Sequence, residues 1–318
     1  MITNTKAAYR KKDSFGSIAA RDWRRNWVIY MLLIPAIVYY IMFHYMPLVG
    51  NIIAFKDYNP RLGIFGSPWT AMGGFRHFID FFNDPHFFRV VRNTITISVT
   101  GIIFGFPAPI LLALLINELR NKYFVRTVQT ISYLPHFISI VVVAGMIRNF
   151  VAYDGIITDF FVMFGMYREN MLNRPELFVP IFVASEIWQG IGWGSIIYLA
   201  ALTGIDMELY EAATIDGAGR WKQTLKITIP CLFPTIMIML ILRLGNIMVV
   251  GFERVLLLYN PQTYVTADVI STFTFRRGMI DMNFSFAAAV DIFNSVVNCV
   301  LLLSANYMSR RLVGNSIF

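Results

Sequence analysis

Three charged residues stand inside long apolar segments of the sequence: Glu186, Arg243 and Asp291. A charge near the centre of a bilayer costs roughly 2.5–3.5 kcal/mol on the insertion scale, so such residues usually pair or line a polar pathway. Pairing of Arg243 with Asp291 is one interpretation. A polar lining for a hydrophilic substrate is the other, and the residues alone leave both open.

Aromatic and amide residues, Gln189 among them, accompany these charges. Asp291, Asn294 and Asn298 follow each other at spacings of three and four, which places them on one helix face. Aromatic rings can stack on the apolar faces of sugars, and amides and carboxylates exchange hydrogen bonds with sugar hydroxyls. We therefore predict a pathway suited to sugars, lined by Glu186, Trp188, Trp193, Tyr198, Arg243, Asn246, Asp291, Asn294 and Asn298.

The residue pattern contains no constellation typical of an enzyme or a metal site. Cys231 and Cys299 both fall in apolar segments and are typical of small buried side chains. No G-x-x-x-x-G-K-[ST] phosphate loop occurs in the sequence. Metal-ligand spacing is absent from the four histidines, His44, His77, His86 and His136. We predict no catalytic residue, no metal and no cofactor in this chain.

The elements that must position the pathway residues are membrane helices. The chain has 318 residues, of which 57% are hydrophobic and 14% charged, whereas a typical soluble domain is about a quarter charged. The net charge of +8 flanks the apolar segments rather than forming a nucleic-acid stripe. Segments long enough to cross ~30 Å of hydrocarbon begin near residue 27 and then cover about 92–117, 128–149, 179–202, 231–251 and 284–306. We expect an all-α polytopic bundle of six transmembrane helices over 27–306.

The distribution of Lys and Arg predicts the orientation of this bundle. Basic residues are dense in the N-terminal segment 1–26, in a polar hairpin at 203–230 and in the tail 307–318. The positive-inside rule therefore places these three segments in the cytoplasm and the long loop 47–91 outside. That loop contains a Phe-rich stretch, which fits either an interfacial helix or a docking surface for an outside partner. The glycine pairs Gly101/Gly105 and Gly190/Gly194 indicate close helix packing.

The hairpin has the local features of a helix, a glycine bend and a second, basic helix. Asp206 suits an N-cap, and Gly217 can adopt the left-handed conformation that ends a helix. Pro230 should mark the start of the fifth span. Apolar residues such as Leu209 and Ile215 on a segment outside the bilayer imply a partner protein. An amphipathic elbow resting on lipid headgroups is the alternative.

Residues of this hairpin carry a family resemblance. The hairpin resembles the EAA signature found in binding-protein-dependent ABC importer permeases. The matching residues are Glu211, Ala212, Ala213, Gly217, Ile227 and Pro230, and the sequence departs from the signature at Ile229, where the signature has Leu. The stretches "IAFKDYNPRLGIFGSPW" and "LALLINELRNKYFVRTVQTISYLPHFIS" are similar to the polysaccharide branch of these permeases, such as those for alginate and pectin fragments.

The resemblance implies a type I ABC importer permease fold in the bacterial plasma (inner) membrane. It also implies a second homologous permease subunit, two cytoplasmic ATPase subunits that carry ATP and Mg, an extracytoplasmic solute-binding protein and an oligosaccharide substrate. The contact with the ATPase would be made by Glu211, Ala212, Ala213, Asp216, Gly217 and Ala218. An ion-coupled secondary transporter or channel using Glu186 and Asp291 is the alternative function. A membrane-embedded enzyme would need a nucleophile, metal ligands or a catalytic dyad in a span, and the sequence shows no metal-ligand spacing and no nucleophile elbow. A receptor without transport leaves the elbow unexplained.

Overall fold

The computed structural model of the chain describes residues 15–313, with side chains from 22 to 311. Its main elements are the helices α1 (Asp22–Phe55), α2 (Phe87–Asn117), α3 (Lys122–Phe137), α4 (Ile140–Phe150), α5 (Pro175–Thr203), α6 (Met207–Ile215), α7 (Arg220–Leu244) and α8 (Phe284–Val313). Short helices cover Gly63–Gly66, Arg76–Phe82, Ile156–Met163, Phe252–Leu258, Tyr264–Ala267 and Ile270–Phe275. Among the described residues the β pairing is a single isolated bridge, between Lys56 and Trp69.

Four of these helices, α1, α2, α7 and α8, are each long and apolar enough to cross a membrane. The pairs α3–α4 and α5–α6 meet the same criterion only when each bent pair is taken together, which raises the number of candidate spans to six. The all-α membrane bundle expected from the sequence is thereby confirmed. Parts of the predicted N-terminal segment and tail, residues 1–14 and 314–318, lie outside the described residues.

Prolines interrupt the long helices without ending them. A π turn ends two residues before Pro47, before Pro107 and before Pro230. Proline lacks an N–H, and its ring crowds the carbonyl four residues earlier. A π turn widens the helix at that point, so the chain passes the proline and remains helical. The π turns themselves cover Ile41–Tyr45, Gly101–Gly105 and Thr224–Thr228.

The third predicted span, 128–149, is not one helix. α3 and α4 meet at an angle of 100° around Ile138 and Ser139. Pro135 opens a 3-10 turn at the end of α3, and the Ser139 hydroxyl caps the first turn of α4 by accepting from Val142 N at 3.4 Å. The Gln189 side chain of α5 donates to the Ile138 carbonyl at 2.9 Å. A carbonyl freed by the break is thus satisfied inside the protein, as the absence of water in a bilayer requires.

The fifth predicted span, 231–251, is also misplaced. The basic turn Arg220–Gln223 continues through a π turn into the helix Ile229–Leu244, so the expected second basic helix is joined to the fifth span rather than separate from it. The helix ends at Leu244, and the following Gly245 packs against α8, where an added Cβ would lie 2.5 Å from a Leu302 side-chain atom. The irregular stretch beyond it is held on α8 by Met248 N, which donates to Asn298 Oδ1 at 3.1 Å.

α5 is the central helix of the bundle. It packs along the second half of α2 and crosses α3 at Gly192, where an ideal Cβ would lie 2.0 Å from the Ser132 carbonyl oxygen. Of the glycine pair Gly190/Gly194 predicted at a close contact, a Cβ on Gly194 would lie 3.1 Å from Pro109, but a Cβ on Gly190 would meet nothing within 4 Å. The tightest crossing is therefore made by a glycine between the two that the spacing singled out.

The Phe-rich stretch of the 47–91 loop forms the helix Arg76–Phe82. One face of this helix is packed against the rest of the chain, because Phe81 and His77 are buried. Phe81 packs in a cluster of aromatic rings with Phe273, from the helix Ile270–Phe275, and Phe286, from α8. The segment thus anchors the loop to α8. By contrast, the apolar window of α1 has no buried residue, so its surface is free for lipid or another chain.

Candidate functional site

The bend between α6 and α7, residues 206–223, is a helical elbow whose first arm, α6, is capped at both ends. Asp206 accepts from Glu208 N at 3.0 Å and starts α6, as predicted. At the other end Gly217 has φ +73°. Ala218 N donates to Ala213 O at 2.8 Å and Gly217 N to Thr214 O at 3.1 Å. This pair of bonds is the Schellman motif, which satisfies carbonyls that a helix end leaves open.

The two arms of the elbow are joined by side chains. Gln223 of α7 donates to Thr214 Oγ1 at 3.0 Å and to Ala218 O at 2.9 Å. Tyr210 of α6 shares a 2.9 Å hydrogen bond with the buried Thr228 hydroxyl. These bonds fix the angle between α6 and α7 from both sides, so the elbow is braced as well as capped.

The elbow is also tied to the end of α2. Glu118 forms an ion pair with Arg220 at 3.6 Å and accepts from Thr224 Oγ1 at 3.4 Å. Both partners lie in the first turns of α7. The sequence pattern gave no signal for Glu118, Tyr210 and Gln223, because their partners are distant in the chain or on the other arm.

The elbow presents apolar side chains on its surface. Ile215 at the end of α6 is 87% exposed and Trp221 at the start of α7 is 77% exposed. Glu211 and Ala212, one turn before Ile215 on α6, are also exposed, and Glu211 makes no hydrogen bond or ion pair with the residues that the structure describes. An apolar knob beside an unpaired carboxylate on a rigid support has the character of a contact surface.

A second candidate site is a groove of about 530 Å³ between α2, α5 and α7. Glu186 of α5 and Arg243 of α7 both line this groove and form an ion pair, with Arg243 Nη2 at 3.0 Å from Glu186 Oε1. The expected pairing of Arg243 with Asp291 is therefore wrong. Gly101 makes room for the ion pair, because a Cβ there would lie 3.4 Å from Arg243 Nη2. Asn246 lines the same groove.

Tyr198 also borders this groove but contributes little surface to it. Its side chain is 3% exposed and packs with Ala113, Leu202 and Leu232, which join α2, α5 and α7. Four of the nine predicted pathway residues thus come together: Glu186, Tyr198, Arg243 and Asn246.

The α5 tryptophans of the predicted pathway lie elsewhere. Trp188 borders a separate, almost wholly apolar cavity of about 640 Å³ between α4 and α5. Trp193 stacks on His136 at the end of α3, with ring centroids 4.6 Å apart and planes 4° from parallel. Both rings are partly exposed, so the break in the third span presents an aromatic surface.

The predicted polar stripe of α8 is divided in the structure. The Asn298 side chain accepts a hydrogen bond from the backbone N–H of Met248. Asn294 Oδ1 is buried and has no hydrogen-bond partner among the described residues. Asp291 is exposed and has no partner in the described part of the chain.

One positioning residue of this region was missed by sequence reasoning. Arg254, in the helix Phe252–Leu258, donates to Ser185 Oγ at 2.8 Å and to Gln189 Oε1. Gln189 is the residue that bonds the freed Ile138 carbonyl, so Arg254 fixes the amide that closes the break between α3 and α4. Its position just beyond the predicted fifth span, 231–251, gave no signal.

Comparison with known proteins agrees with these features. The family described as "Binding-protein-dependent transport system inner membrane component" matches residues 105–314. Protein LplB of Bacillus subtilis is 40% identical over 93% of this chain and 92% of its own length. The polygalacturonan/rhamnogalacturonan transport system permease protein YteP of Bacillus subtilis is 40% identical over 89% and 88%.

Two solved structures have the same fold. One is a bacterial ABC transporter involved in the import of the acidic polysaccharide alginate, with 45% identity to one of its chains, a TM-score of 0.85 and coverage of 93% of this chain and 99% of that one. The other is a bacterial alginate ABC transporter in complex with alginate pentasaccharide-bound periplasmic protein, with 44% identity, a TM-score of 0.85 and the same coverage. The chain therefore belongs to the family of binding-protein-dependent transport system inner membrane components.

Proposed function

We propose that this chain forms one half of the pore of an ABC-type oligosaccharide importer and couples that pore to a separate ATPase through the elbow. The observation that carries this proposal is the elbow itself. Its first arm, α6, is capped at Asp206 and Gly217, Gln223 of the second arm donates a hydrogen bond to the first, and Ile215 projects into solvent. A lever transmits motion only if it is rigid and tightly held, and this element has both a rigid frame and a surface to hold.

The proposed orientation places the elbow and both termini in the cytoplasm of a bacterial cell. The basic residues of the segments 1–26, 203–230 and 307–318 support it. The tie between Glu118 and Arg220 puts the α2–α3 link on the same side as the elbow. The loop 47–91 is then outside, where a solute-binding protein would dock.

The proposed partners are a second homologous permease, two ATPase subunits and an extracytoplasmic solute-binding protein. The exposed surface of α1 and the open groove support a second permease beside this one. The printed sequence lacks a phosphate loop, so ATP and Mg would be bound by the ATPase chains, and we expect no catalytic residue, metal or cofactor here. The alginate transporter bound to its periplasmic protein supports the fourth partner.

The proposed substrate class is carbohydrate. The names of similar proteins state that they transport polygalacturonan and rhamnogalacturonan, or alginate. In this chain the polar groove at Glu186 and Arg243 and the stacked pair Trp193–His136 offer hydrogen bonds and an aromatic face to a sugar. We expect the two surfaces to belong to one pathway completed by the second permease.

The proposed coupling follows from differential binding. ATP favours the closed ATPase dimer, and elbows seated on it must follow its movement, so ATP shifts the bundle toward the outward-open state. An ion-coupled transporter using Glu186 and Asp291 is not supported. Glu186 is committed to Arg243, and the similar proteins named above belong to ABC transport systems or to the same family of components.

The test is ATP-dependent uptake in proteoliposomes that contain the complete transporter and its solute-binding protein. We expect Glu211→Lys to abolish uptake and ligand-stimulated ATP hydrolysis while membrane insertion is retained. Glu208→Lys is the matched control, because it makes the same charge change one turn earlier on α6, and it should retain most of the coupling. Normal coupling with Glu211→Lys, or equal loss with both variants, would contradict the proposal.

A further inference from the structure

An arginine-lined pocket of about 270 Å³ lies at the end of the bundle opposite the elbow. α2 extends from the pocket, beside Phe87, to Asn117 near the elbow, and its 31 residues span about 46 Å. In the proposed orientation the pocket therefore opens to the outside of the cell. Its lining comes from the start of α2 and from the segment before α8: His86, Arg89, Tyr264, Phe273, Arg276, Arg277, Ile280 and Asp281.

The carboxylates that hold these arginines lie behind them. Asp268 has no exposed surface and accepts from Arg89 at 3.2 Å and from Arg276 at 2.6 Å. Asp84, whose side chain is 7% exposed, accepts from Arg277 at 2.9 Å. Neither acid lines the pocket. The lining thus carries three guanidinium groups and one half-exposed carboxylate, that of Asp281, which forms an ion pair with Arg277 at 3.4 Å.

The guanidinium groups are fixed in place and incompletely satisfied. Arg276 lies over the Tyr264 ring at 4.9 Å, and Arg277 over the Phe273 ring at 5.5 Å. Arg89 Nε and Arg276 Nη1 are buried and have no hydrogen-bond partner among the described residues.

The charge of Arg276 is secure. Burial alone would lower its pKa, but the hydrogen bond and negative charge of Asp268 outweigh burial and raise that pKa above its ordinary value. The pocket therefore keeps this positive charge throughout the physiological pH range.

We propose that this pocket binds a uronic acid residue of an acidic oligosaccharide on the outer face of the permease. A carboxylate is the planar acceptor that guanidinium groups bind most specifically, with two parallel hydrogen bonds. The volume is below that of pockets for drug-sized ligands, so it suits one sugar ring rather than a chain. The proposal rests on the proposed function, and it adds a site distinct from the groove at Glu186 and Arg243.

Ile280 and Met279 provide a matched pair of test positions. Both are exposed, at 64% and 60%, but only Ile280 lines the pocket. Ile280→Glu places a carboxylate of the chain itself in the pocket, whereas Met279→Glu makes the same charge change beside it. Because both side chains are exposed, neither variant should disturb folding, and the thermal midpoint of the purified complex verifies this.

The experiment measures binding of trigalacturonate and of its neutral methyl ester to the assembled permease–ATPase complex in nanodiscs, without ATP or solute-binding protein. We expect the wild type and Met279→Glu to prefer the acid by about tenfold, the effect of one charged hydrogen bond. Ile280→Glu should bind both sugars equally. Because no ATP is involved, failure of elbow coupling would leave this result unchanged.

Three results would overturn the assignment. The first is a wild type that binds the acid and the ester equally. The second is the same loss of preference in both variants, which would reflect net charge alone. The third is an unchanged preference in Ile280→Glu combined with weaker docking of the solute-binding protein, which would assign the pocket to an acidic side chain of that protein instead.

Discussion

Gly217 provides the sharpest test of the elbow, because its substitution changes the backbone conformational energy without introducing a steric clash. Its φ of +73° is unfavourable for residues with a Cβ, yet an added Cβ would meet nothing within 4 Å. The penalty of Gly217→Ala is therefore purely conformational, about 1–2 kcal/mol. That corresponds to a roughly 5- to 30-fold loss in the population of the capped bend.

The assay combines hydrogen exchange at residues 213–218 with ligand-stimulated ATP hydrolysis in the reconstituted transporter. We expect faster exchange and weaker stimulation for Gly217→Ala, and a milder effect for Gly217→Asn, since asparagine tolerates the left-handed region better. Gly219→Ser is the control, because Gly219 has an extended conformation with open space around it. If Gly217→Ala behaved like Gly219→Ser, the Schellman cap would not be the source of rigidity.

Three further predictions follow from other contacts. Gly192→Ala should prevent stable assembly, because the new Cβ would lie 2.0 Å from the Ser132 carbonyl oxygen, whereas Gly190→Ala should leave expression and the thermal midpoint unchanged. Asp268→Asn removes a fully buried carboxylate that holds two arginines and should destabilise the chain by about 3–5 kcal/mol in denaturant unfolding. Although burial of Asp84 favours its neutral form, hydrogen bonds from His86 and from an arginine lower its pKa below 3.8, so its stabilising effect is present above that pH and is lost as pH falls through the lowered value. Hydrogen exchange of residues 82–90 should thus stay slow at pH 5, and early acid opening would contradict this ion pair.

The parts of the structure that depend on neighbouring residues could be read from the sequence. Asp206 and Gly217 act over three or four residues, so both caps of α6 were predictable. The apolar runs of α2 and α8 were equally clear, because a bilayer demands about twenty apolar residues in one stretch.

The parts that depend on distant residues could not be read in this way. The break at Ile138 resembles an ordinary proline kink in sequence, and it is completed by Gln189, which lies 51 positions away. The sequence offered Arg243 two acidic residues in neighbouring spans as partners, Glu186 and Asp291. Only the packing of α5 against α7 selects Glu186. Bracing by Glu118 likewise requires the end of α2 to meet the start of α7.

The most direct test of the central claim is site-specific photo-crosslinking from the elbow in the assembled transporter. A crosslinking amino acid at Ile215, which is 87% exposed, should capture an ATPase subunit. The same group at Tyr167, which is 88% exposed in the loop between α4 and α5, is the control and should capture no ATPase. Capture of the ATPase from Ile215 alone is the predicted result. Capture from neither position, or of the solute-binding protein from Ile215, would contradict the account.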